Sequence, residues 1–306
     1  MFSFPVPALF TVTILTSWLA GVIRGVYSKS KEAAGRSLWE FNLLQNLFCL
    51  IIIACIFLFS GGFGHFSICS VMLGILIGSV SVFGADASLK ALTAGPFSYT
   101  TVICTVLSII IPTFSGLFFG EQIRPLQCVG IALMVVCVIL SPEQENGKDH
   151  NRFNAKWLVL CIASGVFSGI VGVIQKIHQN SASYGSEMAA LLLSGFLTAS
   201  IFSAVFLRAD PKHSGINIKA LFSSGTRTAW LYPAAAGICF AFPNTINLFL
   251  AGKVDAVIMF PLVNLCPLLL SIAAAVTIFW EHLTPKRWTG IGIGVLSMLL
   301  ISGVLG

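Results

Sequence analysis

Long apolar segments, separated by short polar or turn-forming stretches, follow one another along the whole chain. About 20 consecutive apolar residues cross the hydrocarbon core of a bilayer as a helix, and charged or turn-forming residues mark the ends of such segments. The pattern predicts an all-α membrane protein with ten transmembrane helices. The predicted spans are 6–28, 37–60, 66–90, 95–119, 122–141, 156–177, 187–207, 229–251, 254–279 and 286–305.

One short motif occurs twice at the same internal spacing. FFGEQIRPLQCVG at 118–130 has a near twin in IFWEHLTPKRWTG at 278–290. Each copy spans the turn between two predicted helices, where a proline begins the second helix and a carboxylate is favourable near the positive helix end. The shared positions are Glu121, Pro125 and Gly130 in the first copy, and Glu281, Pro285 and Gly290 in the second.

Other features recur in the same order, which predicts a duplication. Gly25-Val-Tyr-Ser-Lys29 matches Gly172-Val-Ile-Gln-Lys176, and Ala94-Gly95 matches Ala251-Gly252. Because each half holds five predicted helices, an odd number, the second half must enter the membrane in the opposite orientation. This is the inverted-topology repeat of many secondary transporters. The predicted division is a first repeat at 1–141, a linker at 142–155 and a second repeat at 156–306.

A resemblance to a known family rests on several short motifs. The run Ala87-Ser-Leu-Lys-Ala-Leu-Thr-Ala94, then Gly120-Glu121 and Gly130, resembles EamA-type members of the drug/metabolite transporter superfamily, and 276–290 repeats that ending. The resemblance covers nearly the whole chain. It implies a bundle of two five-helix repeats with a central cavity and alternating access. The second half departs from the family pattern at Asn244-Thr-Ile-Asn247.

Composition narrows the class of function. Only 9% of the residues are charged, against about 25% in soluble domains. The net charge of +6 is small and scattered, so no nucleic-acid partner is predicted. No HExxH, no serine–histidine–acid cluster at membrane depth, no paired carboxylates at one interface and no metal-ligand cysteine spacing occur. The five histidines fall in or near predicted loops. We therefore predict no enzyme activity, catalytic residue, metal or cofactor.

Basic residues are distributed unevenly between the two predicted membrane faces. The loops after odd-numbered helices hold most of them, whereas the opposite face holds only Arg124, Lys176 and Lys253. The positive-inside rule then predicts a cell-membrane protein whose two termini are non-cytoplasmic. Within the helices, GxxxG pairs such as Gly74/Gly78 predict close helix packing.

Polar side chains at membrane depth are costly and give the candidate binding residues. The predicted substrate-binding residues are Trp18, Asn42, Gln45, Asn46 and Asn264. The alternative, hydrogen bonding between helices, stays open for them. A second set lies nearer the two membrane faces and is predicted to gate the cavity, with snorkelling to the interface as the alternative. These predicted gating residues are Arg24, Glu40, Asp86 and Lys90 at one face, and Gln175, Asn244 and Asn247 at the other.

These features favour a secondary active or facilitative transporter of a small polar metabolite, amino-acid-like or a weak acid. The expected partners are that solute and the lipid bilayer, and a coupling proton or other ion is left open. Two alternatives are an exporter of cationic drugs or quaternary ammonium compounds, and a non-transporting membrane protein or lipid scramblase. Arg24 in a first helix without a carboxylate disfavours the cation exporter.

Overall fold

A computed structural model of the protein describes residues 5–30, 36–60, 64–115, 125–140, 155–179, 181, 183, 186–210, 228–251, 256–281 and 284–301. Every regular element within these ranges is a helix, and the predicted ten helices are confirmed. Their bounds are α1 Val6–Lys29, α2 Leu38–Ser60, α3 Ile68–Ala94, α4 Phe97–Ser115, α5 Pro125–Leu140, α6 Ala155–Gln179, α7 Met188–Ala209, α8 Thr228–Ala251, α9 Ala256–Thr277 and α10 Pro285–Ile301.

The helices are built for a membrane. Within the described residues, α1, α2, α3, α6, α7 and α8 are each long and apolar enough to span a bilayer. Large apolar side chains such as Phe59 and Ile68 point outward and are largely exposed, which suits contact with lipid. Pro125 and Pro285 are the first residues of α5 and α10, so the two predicted proline helix starts are confirmed. We conclude that the chain is a multi-pass membrane protein.

Eight of the helices pack side by side in a closed ring. In order around the ring they are α1, α9, α4, α6, α3, α7, α2 and α8, which contacts α1 again. Across the ring, α1 contacts α3 and α6 contacts α8. The remaining two helices, α5 and α10, pack extensively on each other and lie beside α4. The interior of the ring is therefore the place where helices from both halves of the sequence converge.

Glycines allow α3 and α7 to approach each other closely. A Cβ atom added at Gly78 would lie 2.2 Å from the Gly195 carbonyl oxygen, and one at Gly74 would lie 1.9 Å from the Ser194 hydroxyl oxygen. Atoms cannot approach that closely, so both positions require a residue without a side chain. The prediction that the Gly74/Gly78 pair serves helix packing is confirmed.

Replacing Gly78 with alanine should destabilise the protein, because the new methyl group meets backbone that cannot move aside. Overpacking of this kind costs about 1–3 kcal/mol. Gly292→Ala is the matched control, since a Cβ there meets nothing within 4 Å and alanine favours a helix by about 1 kcal/mol over glycine. Unfolding of both variants in mixed micelles measures the difference. Equal stability of the two variants would contradict the packing argument.

The sequence predicted that Glu281 lies near the start of α10, but its contacts among the described residues are with the start of α4 and with Lys29. Its carboxylate accepts hydrogen bonds from the N–H of Phe97, from the N–H of Ser98 at 3.2 Å and from the Ser98 hydroxyl at 2.6 Å. It also lies 3.5 Å from the Lys29 ammonium. The electrostatic reason is unchanged, because a helix N-terminus attracts an anion, but the helix is α4 instead of α10.

Backbone geometry explains where Glu281 points. Trp280 has a φ of 52°, in the left-handed region, and this residue turns the chain after α9 ends. The turn carries Glu281 toward α4. The equivalent first-half residue, Glu121, lies outside the described residues.

Candidate functional site

A cavity of about 180 Å³ lies between α1, α3 and α4. A single water needs only about 10–15 Å³ of such space, so the cavity is large enough for a small metabolite. Five of the nine lining residues have polar side chains. The lining residues are Gly21, Arg24, Ser88, Leu92, Phe97, Thr100, Thr101, Cys104 and Thr105.

Helical spacing brings these side chains together. Ser88 and Leu92 are four residues apart on α3, as are Thr101 and Thr105 on α4, so each pair shares a helix face. On α1 the cavity is lined by Arg24 and by Gly21, where an added Cβ would meet nothing within 4 Å. The cavity therefore lies toward the membrane face at which α1 and α3 end and α4 begins.

Arg24 is the charged group of this cavity. One terminal nitrogen, Nη2, donates to the Ala85 carbonyl oxygen at 3.1 Å. The Nε nitrogen is buried and has no hydrogen-bond partner in the described part of the chain. The ion pairs found among the described residues do not include Arg24. A half-buried cation whose Nε is shielded from water and that has no described counterion is costly, so the site is electropositive and suited to an anionic group.

Two described carboxylates near the membrane face of the cavity, Asp86 and Glu40, pair with residues other than Arg24. Asp86 pairs at 2.6 Å with Lys90, four residues further along the same helix. The Lys90 ammonium also lies 5.5 Å from the centre of the Trp39 ring. Glu40 is buried and pairs with Arg36. The contact of Lys90 with Trp39 joins α3 to α2, and a gating role for these residues stays a prediction.

The amides predicted to bind substrate lie elsewhere. Asn42, Gln45 and Asn46 are all buried on α2, which packs between α7 and α8, and none of them lines this cavity. Both amide atoms of Asn42 and the side-chain oxygen of Gln45 have no hydrogen-bond partner among the described residues. Their unsatisfied polar atoms leave room for a binding role, which stays a prediction.

Trp18 and Asn264 are placed differently from each other. Trp18 packs against the apolar cluster that contains Leu92 and Phe97, two residues that line the cavity. Its indole N–H is buried and unpartnered within the described ranges. Asn264 is half-buried on α9, next to Val263, and Val263 packs against α1 and α8. Neither Trp18 nor Asn264 lines the cavity.

Within the described part of the chain, no hydrogen bond joins the gating residues predicted at the opposite face to one another. Gln175 is half-buried on α6. The Asn244 amide nitrogen donates to the Phe240 carbonyl of its own helix at 2.7 Å. The Asn247 side-chain oxygen is buried without a partner among the described residues. A gating role for Gln175, Asn244 and Asn247 stays a prediction.

His178, which the sequence placed in or near a predicted loop, is fully buried at the end of α6, and its Nε2 lies 3.1 Å from the Ser70 hydroxyl oxygen on α3. Nearby, Glu187 accepts hydrogen bonds from the Ser67 hydroxyl and from the Ser67 N–H, the latter at 2.8 Å. These contacts join the starts of α3 and α7 to the end of α6. Sequence reasoning missed them because the contact partners are far apart along the chain.

The cavity hydroxyls were also missed. Thr100, Thr101 and Thr105 lie in an apolar segment in which threonine is easily taken for a neutral helix residue. Thr101 donates its hydroxyl to the Phe97 carbonyl at 2.8 Å. A threonine satisfied by its own helix costs little in a membrane, so a search for costly polar groups passes over it. Their spacing on one face of α4 is the signal that would have identified them.

The Ser67 hydroxyl and N–H hold the pKa of the Glu187 carboxyl below its usual range. A depressed folded-state pKa stabilises the protein above the unfolded pKa of about 4.3, and this contribution is lost as the pH falls through the folded value. Glu187→Gln should therefore be less stable than the wild type at neutral pH, with the gap closing in acid. Unfolding of both proteins from neutral to acidic pH measures this difference in stability. A gap that stays constant with pH would contradict the assignment.

The chain matches no protein-family model and no curated protein. By contrast, 27 solved chains are similar to it in structure. One of these, a crystal structure of a protein, aligns over 96% of this chain and 94% of its own with a TM-score of 0.58 and 14% sequence identity. The likeness extends over nearly the full length of both chains and shows that the fold occurs among experimentally solved proteins.

Proposed function

We propose that the protein is a secondary active or facilitative transporter that moves a small polar metabolite by alternating access, as in the drug/metabolite transporters that its motifs resemble. The observation that carries this proposal is the hydroxyl-lined cavity between α1, α3 and α4, with Arg24 in its lining. Among the described residues Arg24 forms no ion pair, and a charge within a membrane helix is costly to keep in a purely structural bundle. A site that receives a polar solute explains that cost.

Helix packing supports the inverted repeat. In two equivalent five-helix halves, α1 to α5 correspond in order to α6 to α10. When each helix is exchanged with its equivalent, the contact of α1 with α8 becomes the contact of α6 with α3, and both contacts exist. Likewise the contact of α2 with α8 becomes that of α7 with α3, and the contact of α1 with α9 becomes that of α6 with α4. The pairs α2–α7, α4–α9 and α5–α10 map onto themselves. A two-fold relation between the halves accounts for all of these contacts.

The same packing favours particular moving parts. The sequence suggested that one half rocks against the other, but α3 packs mainly on α6 and α7, and α8 packs mainly on α1 and α2. Separating the sequence halves would break these large interfaces. The ring divides more easily into one bundle of α1, α2, α8 and α9 and a second of α3, α4, α6 and α7. The two-fold relation exchanges these bundles, and we propose that they are the rigid bodies.

Charge gives the proposed orientation. Lys29, Lys90 and Arg208 lie at the ends of α1, α3 and α7, and Lys156 lies at the start of α6. Contacts such as Glu281 with Lys29 join helix ends at this face. Under the positive-inside rule, this basic face lies in the cytoplasm and both termini lie outside. Labelling by an impermeant reagent from each side of the membrane decides the orientation, and labelling of this face from outside would reverse it.

Solute counterflow in liposomes tests the proposed function. Purified protein would be reconstituted and loaded with one unlabelled solute at a time, from amino acids, organic acids, nucleosides, sugars and quaternary ammonium ions. We expect accumulation of labelled solute for one small polar class, relative to protein-free liposomes. Flux of quaternary ammonium ions alone would overturn the metabolite assignment. Lipid scrambling without any solute flux would overturn transport itself.

A further inference from the structure

We infer that the cavity between α1, α3 and α4 selects small organic monoanions, with a carboxylate bound by Arg24. The inference rests on the proposed function only for taking this cavity as the transport site. It decides between the amino-acid-like and weak-acid solutes that the sequence left open. The deciding observation is the charge of the lining, which contains one guanidinium and no carboxylate.

A zwitterion needs both charges matched. Its carboxylate would find Arg24, but its ammonium group would need an acidic side chain or a set of free carbonyl groups in the lining. Asp86 is adjacent in sequence to Ala85, the Arg24 partner, yet it pairs with Lys90 and does not line the cavity. A zwitterion would therefore leave an uncompensated ammonium in a low-dielectric site. A cation would meet Arg24 as a like charge.

The geometry of Arg24 suits a carboxylate. Its Nη2 bond to Ala85 anchors the guanidinium, and the buried Nε–H has no partner in the described residues. The free N–H groups of a guanidinium form a planar fork that can hold both oxygens of one carboxylate. Because the cavity supplies a single positive charge, a monoanion leaves it neutral, whereas a dianion would add a buried negative charge.

Hydroxyl groups complete the site. Ser88 on α3 and Thr105 on α4 line the cavity together with Arg24. A hydroxyl both donates and accepts, so this lining suits a second polar group of the ligand, such as a hydroxyl or a keto oxygen. Leu92 and Phe97 supply apolar contact for a short carbon chain. The expected ligand is a short hydroxy- or keto-monocarboxylate.

Binding to the purified full-length protein in nanodiscs tests the inference separately from transport. The probes are lactate and pyruvate, with lactamide as the neutral analogue, alanine as the zwitterion, choline as the cation and inorganic phosphate as another anion. Stabilisation against heat reports binding to the folded state. We expect lactate or pyruvate to raise the melting temperature, and lactamide, alanine and choline to leave it nearly unchanged.

Variants place the binding in the cavity. Arg24→Gln should weaken lactate binding by about ten- to hundredfold, as expected for loss of charge-assisted hydrogen bonds, and Arg24→Lys should be intermediate. Thr105→Val keeps the side-chain shape and should weaken binding by about two- to tenfold. Lys156→Gln is the matched charge control, because this exposed cation at the start of α6 does not line the cavity. Thr105→Val keeps the test decisive if Arg24→Gln fails to fold.

Each outcome is informative. Monocarboxylate binding that depends on Arg24 but is not accompanied by flux in liposomes supports the inference and counts against the proposed function. Flux of another solute class that is unaffected by Arg24→Gln supports transport and overturns the inference. Failure of every monocarboxylate to bind, or stronger binding of alanine, choline or phosphate, also overturns it. Equal weakening by Lys156→Gln would show nonspecific attraction to positive charge and would overturn the assigned site.

Discussion

Replacing Glu281 with alanine is expected to cost about 2–4 kcal/mol of stability. The carboxylate is largely buried and accepts hydrogen bonds from the N–H groups of Phe97 and Ser98 and from the Ser98 hydroxyl. Hydrogen bonds to a charged group contribute about 1.5–3 kcal/mol each, and a buried donor left without a partner adds its own cost. Alanine removes the acceptor for the whole set at once, and α4 loses the anion at its N-terminus.

The cost should come from the α4 contact and not from the Lys29 ion pair. Lys29 lies 3.5 Å from the carboxylate and is 37% exposed, and exposed pairs contribute only about 0–1 kcal/mol. Lys29→Gln is therefore the matched control, and Glu281→Gln, which keeps one acceptor, should fall between the two. Unfolding in mixed micelles measures all three. A loss in Lys29→Gln as large as that in Glu281→Ala would show that the ion pair dominates instead.

The number and approximate position of the helices followed from the sequence, because length and apolarity decide which segments can cross a bilayer. The ends of the helices were predicted less accurately. The third helix was predicted to end at Lys90, since a charge normally marks the interface. It continues to Ala94 because Lys90 is held by Asp86 and the Trp39 ring. Asp86 lies on the same helix and could be anticipated from its spacing, whereas the Trp39 ring belongs to α2, a contact that no single segment reveals.

The binding site was predictable only in part. Arg24 was identified because a charge inside an apolar segment requires an explanation, but it was assigned to a gate and not to the cavity lining. The amide side chains of α2 cost as much free energy to place in a membrane. However, α2 packs against α7 and α8 and contributes no residue to the cavity lining. The side that a helix turns toward the interior depends on its neighbours in the ring. That order is set by contacts between the two halves and is not encoded within one helix.

Cross-linking α2 to α7 at the face where the odd-numbered connections lie is expected to abolish transport. The Ser37 hydroxyl at the start of α2 donates to the Asp210 carboxylate after α7 at 2.7 Å, so cysteines at these positions lie within reach of a short bifunctional thiol reagent. This contact joins the two proposed rigid bodies. If access to this face requires the bundles to separate here, a covalent link should reduce solute flux by at least about tenfold, and reduction should restore it.

A link of similar length within one bundle should leave transport largely intact. Ser67 and Glu187 join α3 to α7, which both belong to the second bundle, and cysteines at these positions provide that control. Each pair would be introduced into a chain whose native cysteines are replaced, and flux would be compared before and after reduction of the same sample. Because the Ser37–Asp210 link blocks motion between bundles and the Ser67–Glu187 link does not, only the first should inhibit. Inhibition by the second alone would place the moving boundary between α3 and α7 and overturn the proposed bundles.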